Sequence, residues 1–213
     1  MSQYTEEEQI ALFKDWWQRN GKPLLVGAVL ALALVFGWQT WQKQQTNQAQ
    51  HLSTLYQQLL ETAFNQAEAN LAEVAKLTKS LEDLKPNHAY TQYAHLIVAR
   101  LAVDEERLDD AAAALRKVVD KPANTTLAEL AQQRLARVLA AQDQAEQALK
   151  LLEGKGVAAF QSARNELRGD ILLQLGREQE ARAAYVQAKE TLSENAPSSV
   201  LTLKLDNLAQ KDA

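Results

Sequence analysis

Apolar residues form one unbroken block near the start of the chain and helically spaced stripes through the rest of it. The block, residues 23–42, contains no charged side chain, and its centre from Leu24 to Trp38 is almost entirely apolar. A helix of this length extends about 30 Å, which matches the hydrocarbon core of a bilayer. A buried core helix is the alternative, but such helices rarely lack polar residues on every side for so long. The pattern therefore predicts a transmembrane helix over residues 23–42.

Two pairs of tryptophans flank this block. Trp16 and Trp17 precede it, and Trp38 and Trp41 lie at its far end. Indole side chains favour the membrane–water interface, and Trp17 and Trp38 are about 31 Å apart at helical rise. We expect these four tryptophans to anchor the helix in the lipid bilayer.

Lysine and arginine are concentrated on the N-terminal side of the predicted span. Lys14, Arg19 and Lys22 precede it, whereas Lys43 is followed by a long stretch without either residue type. The positive-inside rule then predicts a cytoplasmic N-terminus. The rest of the chain, residues 43–213, is expected on the other side, which is the periplasm in a Gram-negative bacterium.

A cleaved signal peptide is another interpretation of the same block. The leader, however, carries Glu6–Glu8 and Asp15, whereas a signal peptide begins with a short basic region. No small-x-small cleavage site follows Trp38 closely. We therefore expect an uncleaved anchor.

Residues 1–22 are predicted to form a cytoplasmic arm. Ile10, Phe13 and Trp17 share one helical face, which is typical of a helix lying in the membrane interface. In this interpretation the Asn20–Gly21 pair turns the chain into the span. A frayed terminus with two anchoring tryptophans is the alternative.

Beyond the span, the apolar stripes recur with a fixed internal spacing. The polar stretch after Lys43 contains no helix breaker, so we expect the span helix to continue through it. From Tyr90 onward, an internal repeat places matching residues at positions 8, 11, 15, 20, 24 and 27 of successive units, small or apolar at every position except 15, which falls in a polar turn. The third unit shows this most clearly, with Gly169, Leu172, Gly176, Ala181, Tyr185 and Ala188. The matching residues are Ala136, Leu139, Asp143, Ala148 and Leu152 in the second unit and Ala99, Ala102, Glu106, Ala111, Leu115 and Val118 in the first.

This is the spacing of the tetratricopeptide repeat, a pair of antiparallel helices. Small residues at positions 8 and 20 allow the two helices of a pair to touch. The large residue at position 24 is expected to fill the seam to the next pair. Pro86, Pro122 and Pro197 fall between units, where proline interrupts no helix.

The predicted fold is all-α, with one N-terminal transmembrane helix followed by a tetratricopeptide-like α-solenoid domain. The repeats are placed near residues 92–121, 129–153 and 162–192. A C-terminal capping helix is placed near residues 197–210, because the end of a solenoid needs a polar outer face. An irregular antiparallel helix bundle is the alternative.

Composition and charge restrict the classes of function. The formal net charge is −4 and no basic stripe appears, which argues against nucleic acid as a partner. The chain has no cysteine, so disulfides and cysteine-based zinc sites are excluded. His51, His88 and His95 lack the spacing of metal ligands, and no phosphate-binding loop or nucleophile motif occurs. We therefore expect no catalytic residue, cofactor or metal, and a binding function rather than an enzymatic one.

The first helices of tetratricopeptide repeats line a concave face. The side chains predicted to face a partner there are Tyr93, Leu96, Arg100, Gln133, Arg137, Glu166 and Asp170. A face of mixed apolar and charged residues suits an extended or helical segment of another protein. The alternative is a solvated face whose charges pair among themselves.

Over essentially its whole length the chain resembles the YfgM-type ancillary subunits of the bacterial Sec translocon. The resemblance rests on Asn20-Gly21-Lys22 with Val26-Gly27, Gly37-Trp38-x-x-Trp41, Leu167 to Leu173 with Gly176, Ala181-Arg182 and Tyr185, and Lys204 to Leu208. Pro23 and Arg177 depart from the pattern of the family. None of these motifs is a catalytic signature.

The resemblance implies a single-span inner-membrane protein with a periplasmic tetratricopeptide-like domain. Such proteins associate with the SecYEG channel and with a membrane-anchored periplasmic chaperone of the prolyl-isomerase type. They are thought to help pass translocated proteins to periplasmic chaperones. Two alternatives are a membrane-tethered regulator of an envelope stress response, acting through its cytoplasmic arm, and a scaffold subunit of another envelope complex.

Overall fold

The computed structural model describes residues 6–64, 70–192 and 199–211. Within these ranges the regular elements are α-helices and one short 3₁₀ turn. The helices are α1 (Glu6–Phe64), α2 (Leu71–Leu84), α3 (Ala89–Asp104), α4 (Leu108–Asp120), α5 (Thr125–Ala141), α6 (Ala145–Leu151), α7 (Gln161–Gln174), α8 (Glu178–Glu190) and α9 (Ser199–Lys211), and the 3₁₀ turn is Ala158–Phe160. The all-α prediction is confirmed. Pro197 lies outside the described residues.

The contacts divide the chain into two compact units after His51. In the first unit, α1 is the candidate for a membrane span by its length and apolar composition. Its large apolar side chains from Leu24 to Trp38 are 49% to 75% exposed and surround the helix on all sides. A helix with this surface requires an apolar environment. The expected continuation of the helix past Lys43 is also confirmed, because α1 ends at Phe64.

The predicted turn at Asn20–Gly21 is wrong, because both residues lie inside α1. The Asn20 side chain donates a hydrogen bond back to the Trp16 carbonyl at 3.1 Å, so it is satisfied without leaving the helix. Gly21 lies under the Trp17 ring, where an added Cβ would be 3.2 Å from the ring. Pro23 is also inside the helix, although it supplies no N–H to the preceding turn.

The second unit begins with the last part of α1, whose side chains Leu52, Leu59 and Ala63 are buried in the core. From α2 to α9 each helix packs against the next helix along the chain. The helices α3–α4, α5–α6 and α7–α8 form three pairs, and α9 follows them. The first helices of neighbouring pairs also touch, α3 with α5 and α5 with α7. This is the nearest-neighbour packing of a helical-repeat array.

The turns inside the three pairs have the same conformation. Glu106, Asp143 and Gly176 adopt positive φ angles of 60°, 60° and 73°. In each turn the next residue donates a backbone hydrogen bond to a carbonyl five positions earlier, for example Arg177 to Leu172 at 2.9 Å. This is the Schellman arrangement that ends an α-helix. Only the third pair uses glycine at the left-handed position, where an L-residue is strained.

Small residues mark the closest contact within each pair, as predicted. Ala99, Ala111, Ala136, Ala148 and Ala181 are at most 3% exposed. Gly169 takes the corresponding position in α7, where an added Cβ would lie 2.4 Å from the Tyr185 ring. Tyr185, the large residue at position 24, therefore covers Gly169 of its own pair. It also belongs to the apolar cluster that α8 forms with α9.

A buried ion pair joins the second helix pair to the third. The Arg164 guanidinium in α7 donates to the Glu129 carboxylate in α5 at 2.7 Å, and both side chains are 4% exposed. Arg164 also donates to the carbonyls of Leu151 and Glu153, which end α6 and follow it. Glu129 accepts further hydrogen bonds from the Gln133 side chain and the Val157 amide. Burial alone would raise the pKa of Glu129, but these hydrogen bonds and the arginine charge outweigh burial and lower it.

His95 is buried in α3. Its side chain is 8% exposed, and Nε2 lies 3.9 Å from the Glu82 carboxylate. Burial, reinforced by the nearby Lys117 charge, lowers the pKa of His95 to about 4. His88 has a local role instead, since its side chain accepts a hydrogen bond from the Tyr90 amide at the start of α3.

Removing one partner of the buried ion pair is expected to destabilise the array strongly. Glu129→Gln leaves the Arg164 charge buried without its carboxylate, which costs about 3 kcal/mol in free energy of unfolding. The Glu129→Leu/Arg164→Met double variant removes both charges and is expected to recover most of that loss. The measurement is urea denaturation of the full chain in detergent, followed by circular dichroism.

The matched control for this experiment is Lys79→Gln, which breaks an exposed ion pair with Asp83. Exposed pairs contribute about 1 kcal/mol or less. If Glu129→Gln is no more destabilising than Lys79→Gln, the buried pair does not hold the second and third helix pairs together.

The buried imidazole of His95 is expected to make stability depend on pH. Its folded pKa of about 4 lies below the unfolded value of 6.5, so the unfolded chain binds the proton first. The free energy of unfolding therefore falls as pH decreases from 6.5 to 4, by roughly 3 kcal/mol in full. His95→Gln is expected to remove this part of the loss in pH-dependent urea denaturation. If the free energy of unfolding of His95→Gln falls by the same amount over this pH range, another group is responsible.

Candidate protein-binding site

An open cleft of about 330 Å³ lies between α3 and α5, on the side formed by the first helices of the pairs. Its apolar lining comes from α3, α4 and α5. The apolar residues are Leu96, Ala99, Val103, Leu108, Leu115, Val138 and Ala141. Three arginines, Arg100, Arg134 and Arg137, and the carboxylate of Asp104 complete the lining.

The helix geometry explains why these side chains meet. Leu96, Arg100 and Val103 follow one another at intervals of four and three residues along α3, so they share one face. Along α5, Arg137 and Val138 lie three and four residues after Arg134, so each of them is its neighbour on one face. Because α3 and α5 are neighbouring first helices, the two faces form the opposite walls of one cleft.

The structure brings together three of the predicted partner-binding residues. Leu96 is 5% exposed and lies in the floor of the cleft. Arg100 and Arg137 are exposed and stand in its walls. Tyr93 is 41% exposed and is not in the lining, but its ring is 6.5 Å from that of Tyr56.

The other predicted residues are engaged elsewhere. Gln133 is 4% exposed and donates hydrogen bonds to Glu129 and to the Phe160 carbonyl. Glu166 and Asp170 in α7 both accept hydrogen bonds from Lys204 of α9, at 2.7 Å and 2.6 Å. Asp170 also accepts from the Tyr185 hydroxyl at 2.7 Å. Burial and this carboxylate raise the pKa of Tyr185.

Arg134 is the cleft arginine that sequence reasoning missed. It lies one helical turn before Arg137 and Val138 on the same face of α5, which is a signal that the sequence does contain. Its pKa is lowered by burial and by the positive charges of Arg137 and Arg100. The three guanidinium groups therefore act on one another as a cluster.

The predicted membrane-anchoring tryptophans are exposed and occur as pairs in contact. The ring centroids of Trp16 and Trp17 are 6.5 Å apart, and those of Trp38 and Trp41 are 5.3 Å apart. The Phe13 ring joins the first pair, 6.2 Å from each tryptophan. Each end of the apolar segment thus carries an exposed aromatic cluster, as interfacial anchors do.

In the part of the chain that the structure describes, no group of three histidine, aspartate or glutamate side chains is arranged to hold a metal ion. The cleft contains apolar surface and guanidinium groups, together with one carboxylate. Its chemistry is that of a binding surface for apolar and negatively charged groups.

A family model described as a tetratricopeptide repeat-like domain matches residues 14–210. The chain is 30% identical over 207 residues to the Ancillary SecYEG translocon subunit of Escherichia coli (strain K12), covering 96% of this chain and 97% of that protein. It is 30% identical over 206 residues to the protein of the same name from Aggregatibacter actinomycetemcomitans, covering 95% and 97% of the two chains.

The corresponding protein of Neisseria gonorrhoeae is 30% identical over 207 residues, covering 95% of this chain and 97% of that protein. No solved structure matches the chain significantly. The similarity to these relatives runs from end to end and includes both the apolar helix and the helix pairs. The chain therefore belongs to the tetratricopeptide repeat-like family and, within it, to the ancillary SecYEG translocon subunits.

Proposed function

We propose that this protein is a non-enzymatic adaptor, anchored in the bacterial inner membrane, that associates with the Sec translocon. It helps pass translocated proteins to periplasmic chaperones, and its helical repeats supply the binding surface. The observation that carries this proposal is the similarity over 96% of the chain to a protein named an ancillary SecYEG translocon subunit. Because the match covers the anchor as well as the repeats, the relatives share the same combination of parts.

The proposed arrangement has three segments. Residues 1–22 form a cytoplasmic arm, residues 23–42 cross the membrane, and residues 43–213 form a periplasmic tetratricopeptide-like domain. The excess of Lys14, Arg19 and Lys22 on the N-terminal side supports this orientation. The tryptophan pairs at the two ends support anchoring by residues 23–42.

Anchoring is useful to an adaptor because it keeps a weak binding surface near its target. A tether replaces the bulk concentration of a partner by a much higher effective concentration. The proposed partners are the SecYEG channel and a membrane-anchored periplasmic chaperone of the prolyl-isomerase type. The cleft between α3 and α5 is the proposed contact for the second partner.

The orientation can be tested by labelling single cysteines, since the natural chain has none. Lys155→Cys places a thiol at an exposed loop position of the repeat domain, and Gln18→Cys places one in the arm. We expect a membrane-impermeant maleimide to label Lys155→Cys, and not Gln18→Cys, in cells with a permeabilised outer membrane. Labelling of Gln18→Cys alone would reverse the orientation.

The association can be tested by affinity purification from membranes in mild detergent, with the partners identified by mass spectrometry. We expect the wild-type chain to retain SecY. We expect Arg100→Glu/Arg137→Glu to lose the periplasmic chaperone and to keep SecY. Arg116→Glu is the control, because it reverses an exposed charge of α4 that does not line the cleft.

Two results of this purification would contradict the proposal, and a third would locate the SecY contact. A stable complex without Sec components would favour the scaffold alternative. Loss of SecY after deletion of residues 2–15 would place the contact with SecY in the cytoplasmic arm. Equal loss of the chaperone in Arg116→Glu would remove the cleft from the interaction.

A further inference from the structure

The walls of the cleft carry more positive charge than its own residues neutralise. In the described part of the chain, neither Arg134 nor Arg137 forms an ion pair or a side-chain hydrogen bond. Arg100 has a loose contact with Asp104, at 3.7 Å between Nε and Oδ2, and both side chains are more than 60% exposed. Among the described residues that line the cleft, one carboxylate therefore faces three guanidinium groups.

This local excess contrasts with the charge of the whole chain, which is −4. It also contrasts with the corresponding face of the third helix pair. There Glu166 and Asp170 are neutralised by Lys204 of α9. The unneutralised charge on the first helices of the pairs is thus positive and is concentrated around the cleft.

The floor of the cleft is apolar and partly open. Val103 is 41% exposed at its edge, while Leu96 and Leu115 are buried beneath it. A cleft of about 330 Å³ is at the lower end of the range found for ligand sites. It is large enough for a small number of apolar side chains from a partner, but not for a folded domain.

An exposed aromatic surface lies next to the cleft and extends its apolar character. The Arg100 guanidinium lies 5.7 Å from the centre of the Phe64 ring, and Phe64 is 51% exposed. The rings of Tyr56 and Tyr90 are stacked at 4.7 Å, and Tyr93 is exposed beside them. Arg100 thus connects the cleft to surface on which further apolar side chains of a partner can rest.

We propose that the cleft between α3 and α5 binds an acidic amphipathic segment of another protein, in which apolar side chains enter the floor and neighbouring carboxylates pair with Arg100, Arg134 and Arg137. This inference rests on the proposed adaptor function and specifies the chemistry of its partner. Guanidinium groups bind carboxylates bidentately. The apolar floor of the cleft receives the apolar side chains that lie between those carboxylates in the partner. A basic segment would meet three like charges.

The test uses the purified full chain in detergent and three fluorescent peptides of about three helical turns. All three carry the same leucines at helical spacing, and they carry glutamate, glutamine or lysine at the flanking positions. We expect fluorescence anisotropy to show binding of the glutamate peptide, weaker binding of the glutamine peptide and none of the lysine peptide. Affinity for the glutamate peptide is expected to fall as salt increases.

The decisive variant is Arg134→Glu/Arg137→Glu, because both side chains are exposed and no described contact is broken by their replacement. We expect it to weaken binding of the glutamate peptide at least about tenfold and to gain binding of the lysine peptide. Arg116→Glu, with the same change of charge per site on α4, is expected to bind as wild type does. Circular dichroism confirms that the variants are folded.

Several outcomes would overturn the inference. These are equal binding of all three peptides, equal weakening by Arg116→Glu, or a change of oligomeric state in Arg134→Glu/Arg137→Glu, which would identify a second copy of this chain as the occupant. This experiment contains no translocon component. Failure to retain SecY in the affinity purification would therefore reject the adaptor function. Failure of the chain to distinguish the three peptides would reject only the acidic partner.

Discussion

The ion pair between Glu129 and Arg164 fixes how the second and third helix pairs meet. Both charges are almost completely buried, and neither can lose its partner without leaving an uncompensated charge in the interior. The loop before α7 is held at the same point, because the Val157 amide donates to the Glu129 carboxylate, and it passes so closely that an added Cβ at Gly156 would lie 2.6 Å from a Glu129 oxygen. Arg164 also binds the carbonyls at the end of α6. One side chain thus ties α5, α6 and α7 together beside the loop that joins α6 to α7.

Around this contact the array is built from small residues and repeated turns. Alanine or glycine at the closest approach allows each pair of helices to touch, and a left-handed residue closes each turn. At the C-terminal end, Lys204 of α9 satisfies Glu166 and Asp170. The third pair is therefore closed by an ionic contact, while the first two pairs present the cleft and its arginines. The same fold thus gives the two ends of the array different surfaces.

A membrane anchor and a small basic–apolar cleft form a coherent combination for an adaptor. In the proposed function the small cleft binds its partner weakly, and tethering compensates for low affinity by raising the effective concentration of the partner. Weak binding also permits release, which an adaptor requires. The arginine cluster adds selectivity, since like charges in a wrong partner cost more than a neutral contact. The anchor and the cleft therefore supply proximity and discrimination separately.

The sequence by itself determined the all-helical fold, the apolar segment, the helix pairs and the turns inside those pairs, because these follow from local spacing and composition. It placed Leu96, Arg100 and Arg137 on one side of the array for the same reason. It did not reveal the pairing of Glu129 with Arg164 or of Lys204 with Glu166 and Asp170, nor the burial of His95. Periodicity shows which face of a helix a residue occupies, but not which side chain lies opposite. Only the tertiary structure decided those partners, because they are more than thirty residues apart and meet through the stacking of whole helices.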